Sequence, residues 1–219
     1  MTSRHLLPAL LLIVAACAPD DSAYQALKDE LTTIRERNQR YRMHMDSVAR
    51  KEGWQSDAVA QLYEKQRELD SVNLAAIDGI ITRFGYPSKA RVGGLSTVPF
   101  EVLRHCDEPV KADYLDLVVG AGQSGDIPMN LVAVFEDRVL VSQKQPQRYG
   151  TQIWIEFVED RKTGERYDSV YLWPVRNPGS VEARRAAAGL DSLTDQLRHY
   201  GINPSKGFLL RKSGQGPNG

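Results

Sequence analysis

The sequence predicts an α+β fold that is mainly α: a long N-terminal helical hairpin, a cluster of shorter helices, one β-hairpin and a C-terminal helix. Three observations carry this prediction. Two long segments near the N-terminus repeat apolar residues at helical spacing. Prolines that suit the first turn of a helix divide the middle of the chain. From Thr151 onward, apolar and polar residues alternate with the period of a strand.

The N-terminal hairpin is predicted from two apolar stripes. In the first segment, apolar residues alternate steps of four and three, which is a heptad seam interrupted at Asn38, and the helix should end near Gly53. A second helix is expected to begin after Ser56 or Asp57. It should stop at the G-Y-P sequence of residues 85–87, because the residue before a proline disfavours the helical conformation. Since only a few residues join the two helices, they should pack antiparallel.

The central part of the chain is expected to form three short helices. Pro99, Pro109 and Pro128 each stand where a helix can begin, because proline has a suitable φ and the first turn needs no N–H from it. The third of these segments, LVAVFEDRVLV, is rich in Val and Leu, so a strand is an alternative for it.

The last third of the chain is predicted to contain the β-hairpin and the C-terminal helix. The segments TQIWIEFVED and YDSVYLWPV alternate and flank a polar turn with a glycine, which predicts a β-hairpin near residues 151–175. Ser180 is expected to cap the C-terminal helix. The polar, glycine-rich residues 212–219 are predicted to be a disordered tail.

The first residues predict export to a bacterial cell envelope. Arg4 and His5 precede an apolar run over residues 6–16 that is too short to span a membrane and is typical of a signal peptide. The sequence V-A-A-C ending at Cys17 resembles a lipobox, which implies cleavage before Cys17 and acylation of that residue. The alternative is an ordinary cleavage site followed by a chance cysteine. Ala18, rather than Asp, resembles sorting to the outer membrane, facing the periplasm.

These segments divide the chain into a signal peptide (1–16), an acylated Cys with a short linker (17–22), a single mainly helical domain (23–211) and the tail. The predicted partner is therefore the membrane, through the lipid anchor at Cys17. The 28 basic side chains balance the 28 acidic ones, which leaves no electrostatic footprint for nucleic acid. No cofactor and no metal are predicted, because the chain contains no zinc motif, P-loop or dinucleotide fingerprint.

Short polar motifs are spread along the chain. The most specific is Q-x-Y-G-T-Q at residues 147–152, which follows an Asp-Arg pair at residues 137–138. Other pieces are N-Q-x-x-R at 38–42, D-x-x-N at 70–73, G-Y-P at 85–87, V-G at 92–93, H-x-D at 105–107 and R-R-x-x-x-G-L at 184–190. Together they resemble a family of bacterial proteins that carry a domain of unknown function. The resemblance covers roughly residues 27–193 and implies no reaction. Asn38 and Cys106 depart from the family pattern, where Asp and a small residue are usual.

One group of candidate residues lies in the helical hairpin. Asn38, Arg42, Asp70 and Asn73 should cluster between its two helices. They would form either a buried polar network that sets the helix register or the floor of a pocket.

A histidine near the end of a short helix is the candidate for catalysis. His105 can stabilise the helix end, or it can transfer protons as the side chain that titrates nearest to neutrality. With Asp70 or Asp137 it would make the protein a periplasmic hydrolase. The adjacent Cys106 is interpreted as a small, buried side chain rather than a nucleophile or ligand.

The second group of candidates surrounds the Q-x-Y-G-T-Q motif. Gly150 is expected to need a positive φ at a corner between a helix and the hairpin. The side chains around it either satisfy the turn or line a polar cleft. An arginine fork that is left vacant would bind an anion there. The ligand-binding candidates in this group are Arg138, Gln147, Tyr149, Thr151, Gln152, Arg184 and Arg185.

Three functions are compatible with these residues. The leading hypothesis is a lipid-anchored envelope protein that binds a ligand or partner through a polar cleft. The alternatives are the periplasmic hydrolase and a structural interaction module that presents its helical hairpin.

Overall fold

The computed structural model describes residues 21–159 and 166–202. The predicted signal peptide, the predicted lipidation site Cys17 and the predicted tail lie outside the described residues. The described chain is mainly helical with a two-stranded antiparallel sheet, as predicted. Within these ranges, no helix combines the length and the apolar character that a membrane crossing requires.

The N-terminal hairpin is present, and its first limb is broken. Its helices are α1 (Asp21–Gln39), α2 (Arg42–Glu52) and α3 (Asp57–Phe84). The prediction of one continuous helix up to Gly53 was therefore wrong. At the break, the buried Gln66 side chain of α3 accepts a hydrogen bond from the Tyr41 N–H (3.0 Å) and donates one to the Arg37 carbonyl (3.3 Å). The Gln66 amide thus satisfies backbone groups that the interrupted helix leaves free.

Five short helices follow the hairpin. They are α4 (Lys89–Val92), α5 (Val98–Leu103), α6 (Glu108–Asp113), α7 (Leu115–Gln123) and α8 (Met129–Ser142). The segment LVAVFEDRVLV is helical in α8, so the strand alternative was wrong. The segment after Pro109 contains two helices rather than one, because the chain leaves the helix at Tyr114.

The β-hairpin consists of β1 (Ile153–Glu159) and β2 (Arg166–Leu172). Ile153 pairs with Leu172 and Trp154 pairs with Tyr171, so the predicted alternation of faces is confirmed. The C-terminal region forms two helices, α9 (Val181–Ala187) and α10 (Leu193–His199), where one was predicted. The Ser180 side chain does not cap α9. It accepts a hydrogen bond from Arg184 instead (2.6 Å).

Three of the four apolar clusters among the described residues join most of these elements. The first joins α1, α3 and α5 through buried residues such as Leu31, Ile77 and Val98. The second joins α5, α7 and α8 and includes the tilted ring pair Phe100 and Phe135, whose centroids are 5.9 Å apart. The third packs β2 against α9 and α10. These clusters position two polar regions, one beside the hairpin and one between α8 and β1.

Candidate functional site

The polar residues of the hairpin form a network centred on an ion pair. Arg42 donates to both carboxylate oxygens of Asp70, at 3.0 and 2.7 Å. Gln66 also donates to Asp70, at 2.8 Å, and Arg42 donates to the Asn38 carbonyl. The side-chain amide of Asn38 donates to the Glu101 carbonyl at 3.3 Å. This network ties α1, α2, α3 and α5 together, as a register-setting network would.

Asn73 does not join this network. It lies one helical turn after Asp70 and is fully buried. Neither polar atom of its side chain has a hydrogen-bond partner among the described residues. The structure therefore brings Arg42 and Asp70 together, and Asn73 is buried one turn after Asp70 on α3.

A cavity of about 510 Å³ opens beside the network. This volume falls within the range of roughly 300–1,000 Å³ that is typical of small-molecule sites. The hairpin helices and the end of α5 form its walls. Its lining residues are Asn38, Gln39, Arg42, Met45, Asp46, Trp54, Tyr63, Glu101, Arg104 and His105.

Two aromatic side chains of the cavity are largely exposed. Trp54 is 66 % exposed and Tyr63 is 59 % exposed. Although Tyr63 has the spacing of the apolar residues of α3, its side chain lies outside the core. Large exposed aromatic residues are enriched at binding sites, because they offer much contact area with little conformational freedom to lose.

The charged groups of the cavity fall into two classes. Arg42 is paired with Asp70, and Glu101 accepts a hydrogen bond from the Thr97 hydroxyl (2.7 Å) and lies 3.6 Å from the Arg35 guanidinium. In contrast, the side chains of Arg104 and Asp46 are exposed and make no hydrogen bond or ion pair with any described residue. The cavity therefore presents one vacant guanidinium and one vacant carboxylate.

His105 stands next to the vacant guanidinium, in the turn after α5. The side chain keeps access to solvent, but it loses part of its hydration. This desolvation, followed by the positive charges of Arg42 and Arg104, lowers the pKa of His105 to about 4. His105 is consequently neutral at pH 7. It makes no hydrogen bond with Asp70 or with any other described side chain.

Asp137 lies in the second polar region and is fully buried. Its carboxylate accepts hydrogen bonds from the backbone N–H groups of Arg148 (2.6 Å), Tyr149 (3.0 Å) and Thr151 (2.9 Å). The Thr151 hydroxyl adds a further hydrogen bond at 3.0 Å. Residues 147–152, hereafter the corner, are thus wrapped around one carboxylate. These donors occupy Asp137, which lies outside the cavity lining and makes no hydrogen bond with His105.

Gln147 closes the corner from inside. Its fully buried side chain accepts from the Gln152 N–H (2.8 Å) and donates to the carbonyls of Gln152 (3.0 Å) and Trp173 (2.7 Å). Gly150 has φ 75°, as predicted. The Gln152 side chain bonds the Thr151 hydroxyl at 3.0 Å. These polar groups of the corner therefore form hydrogen bonds within the protein.

The arginines of α9 bind carbonyl groups. Arg185 is 1 % exposed and donates to the carbonyls of Asp191 (2.7 Å) and Tyr149 (2.8 Å) and to the Gln196 side chain (2.9 Å). Arg184 donates to the carbonyls of Arg148 (2.7 Å) and Arg176 (2.6 Å). Neither guanidinium is left vacant for an anion.

Arg138 and Cys106 also have internal partners. Arg138 donates to Glu108 at 2.8 Å, and the buried Lys111 approaches the same carboxylate at 3.0 Å. The half-buried Cys106 thiol donates to the Val102 carbonyl at 3.7 Å. Burial raises the pKa of Cys106 to about 11, so it is a protonated thiol at pH 7. Within the described residues, no cluster of His, Cys, Asp and Glu is placed to hold a metal ion.

The structure therefore separates the sequence candidates into two groups. Arg42, Asp70 and His105 meet at the hairpin, whereas Asp137 and the corner form a distinct region. Sequence reasoning missed Arg104, Asp46 and Trp54. Trp54 could have been identified from the sequence as an exposed aromatic residue, because it follows the hairpin turn at Gly53, where no core position is expected.

Comparison with known proteins places the chain in a family without assigning it a reaction. No curated protein and no solved structure matches the chain. The model of one protein family matches residues 25–203, slightly more than the span of the motif resemblance. Since that match covers most of the chain, this protein belongs to the family of unknown function DUF6624.

Proposed function

We propose that this protein is a binding protein whose ligand enters the cavity beside the helical hairpin. The observation that carries the proposal is the vacant guanidinium of Arg104, which lies in the same cavity as the exposed rings of Trp54 and Tyr63. A guanidinium binds carboxylate or phosphate through parallel hydrogen bonds, and the rings would cover an apolar part of the ligand. The ligand is therefore a molecule that carries an anionic group next to an apolar portion.

Binding fits the geometry better than hydrolysis does. Asp70 does not orient His105 in the way that a catalytic carboxylate orients its base, since its carboxylate is bound by Arg42 and Gln66 and forms no hydrogen bond with the His105 side chain. Asp137 is occupied by the corner. With a pKa of about 4, His105 is a weaker base than the near-neutral group that general-base catalysis favours. No observation on the described residues favours the hydrolase.

The binding proposal can be tested with thermal melts in the presence of small aromatic and aliphatic carboxylates, each beside its uncharged amide. A ligand at one hundred times its Kd stabilises the folded state by about 2.7 kcal/mol, which is readily detected. We expect a carboxylate, but not its amide, to raise the melting temperature of the wild type.

Matched substitutions localise the effect. Arg104→Gln and Tyr63→Ala change the cavity and should abolish the stabilisation. Arg50→Gln changes an exposed arginine at the end of α2, and Tyr200→Ala changes an exposed tyrosine outside the cavity, so both should preserve it. A carboxylate that stabilises all five proteins equally would place the site elsewhere and contradict the proposal.

We also propose that the protein is anchored to a bacterial cell envelope through acylated Cys17, at the periplasmic face of the outer membrane. The support is the short apolar run that ends in V-A-A-C. Mass spectrometry of the mature protein should find acyl groups on Cys17, and Cys17→Ser should release the protein from membranes or block its processing. Cys106→Ser is the control and should leave anchoring intact. A soluble, unmodified protein that starts at Ala18 would refute the anchor.

A further inference from the structure

The charged groups of the cavity indicate that its ligand carries a positive charge as well as a negative one. Arg104 is vacant on one element and Asp46 on another, the first in the turn after α5 and the second on α2. The other charged groups of the lining have partners within the fold, since Arg42 is bound by Asp70 and Glu101 by Thr97. The vacant charges of the cavity are therefore one positive and one negative.

Charge complementarity then favours a ligand with both signs over a simple anion. A simple anion would leave the Asp46 carboxylate unpaired at the edge of the site, where it would oppose binding by like-charge repulsion. A molecule with an ammonium and a carboxylate would satisfy both groups. The exposed rings of Trp54 and Tyr63 add to this, because an aromatic face attracts an ammonium group.

The remaining groups of the lining favour a peptide over a free amino acid. The Gln39 side chain offers an amide that bonds no described residue, and an amide has the donor and the acceptor that a peptide group needs. Met45 and the two rings provide apolar surface for side chains. A cavity of about 510 Å³ is larger than one amino acid requires.

We propose that the ligand of this cavity is a short free peptide, whose carboxylate is bound by Arg104 and whose ammonium is bound by Asp46. This inference rests on the proposed function and names its ligand class. A segment inside a protein partner has neither terminal charge, so the two kinds of partner are distinguished by blocking the termini.

The test uses Leu-Leu and Leu-Leu-Leu as probes, each in four forms: free, N-acetylated, C-amidated, and blocked at both ends. Calorimetry on the full mature chain gives the Kd of each form. We expect the free form to bind best at one of the two lengths. Either block should weaken it about tenfold or more, because each replaces a charged terminus by a neutral group and so removes an ion pair with the cavity.

Two variants show which cavity residue binds each terminus of the peptide. Arg104→Gln should weaken the free peptide about tenfold and leave the C-amidated form unchanged. Asp46→Asn should weaken the free peptide by a similar factor and leave the N-acetylated form unchanged. Arg50→Gln and Asp113→Asn replace exposed charged residues outside the cavity and should change nothing. Thermal melts without peptide verify that every variant is folded.

The outcomes separate this inference from the proposed function. If N-acetylation has no effect while Arg104→Gln still weakens binding, the cavity binds anions and the peptide inference is overturned. If the doubly blocked form binds as well as the free form, the partner is an internal protein segment and the inference also falls. If no peptide binds the wild type, the ligand class is wrong. Peptides that bind the wild type and both cavity variants equally would overturn the proposed site as well.

Discussion

In the corner, the carboxylate of Asp137 accepts hydrogen bonds from three backbone N–H groups and one hydroxyl, and it is fully buried. In the cavity, the carboxylate of Asp46 is exposed and accepts none from the described residues. The arginines differ in the same way: Arg185 is buried against carbonyl groups, whereas Arg104 is vacant. Both regions are rich in polar residues, and only one of them leaves those residues available to a ligand.

This difference shows how a structural polar cluster is distinguished from a binding site. Most buried polar groups are paired within the fold, because leaving one unpaired costs about 1–3 kcal/mol; Asn73 is an exception among the described residues. A site must instead leave groups unpaired by the fold, and these remain hydrated at the surface until a ligand arrives. Substitutions should therefore lower stability in the corner, whereas substitutions of the vacant cavity groups, Arg104 and Asp46, should leave stability nearly unchanged.

The largest effect is expected for Asp137→Ala. The substitution leaves the N–H groups of Arg148, Tyr149 and Thr151 without their acceptor, and we expect a loss of about 3–5 kcal/mol in the free energy of unfolding. Urea denaturation measures it. The control Asp113→Ala removes an exposed carboxylate and should stay within about 0.5 kcal/mol of the wild type. A loss below about 1 kcal/mol for Asp137→Ala would show that the carboxylate does not organise the corner.

The two glutamines of the corner should differ from each other. Gln147→Ala removes three buried hydrogen bonds and should cost about 2–3 kcal/mol. Gln152→Ala removes one side-chain hydrogen bond of 3.0 Å and a longer one of 3.4 Å, and should cost about 0.5–1 kcal/mol. The same denaturation experiment compares them. Equal losses would mean that Gln152 is as structural as Gln147.

Gly150→Ala should have a smaller effect. The residue has φ 75°, and an added Cβ would lie 3.1 Å from a methyl group of Leu193, so we expect a loss of about 1–2 kcal/mol. Gly79→Ala is the matched control within α3, where an added Cβ meets nothing within 4 Å. It should stabilise by about 0.5–1 kcal/mol. If both substitutions stabilise the protein, the corner tolerates a side chain at Gly150.

At pH 7 the smallest effect is expected in the cavity, where His105 links stability to pH. Its folded-state pKa of about 4 lies below the ordinary value of 6.5, so the unfolded chain binds more protons between these values. The stability contributed by the neutral imidazole is therefore present above pH 6.5 and is lost as pH falls towards 4. His105→Asn should flatten the unfolding free energy across this window. An unchanged slope would show that the pKa of His105 is close to its ordinary value.

The helices, the β-hairpin and the positive φ of Gly150 could be predicted because each rests on residues close together in sequence. The alternation of apolar and polar residues around Trp154 predicted the strands, and Pro128 predicted the start of α8. The break before α2 could not be predicted in this way. It depends on Gln66, which lies 25 residues after Tyr41 and reaches it only when the hairpin has formed.

The candidate site illustrates the same limit. Arg138, Arg184, Arg185 and Arg104 have the same side chain, and the sequence alone cannot tell which of them has a partner. Arg184 and Arg185 bind carbonyl groups supplied by distant parts of the chain, such as those of Arg148 and Tyr149.

The sequence by itself determined the mainly helical architecture, the β-hairpin, the need for glycine at the corner and the family resemblance. These follow from local backbone preferences and from the period of apolar residues, which act over a few neighbours. Only the tertiary structure decided which polar residues are consumed by the fold and which remain vacant. The physical reason is that hydrogen bonding and burial depend on distance in space, so Asp137 became the centre of a closed corner while Arg104 and Asp46 were left facing a cavity.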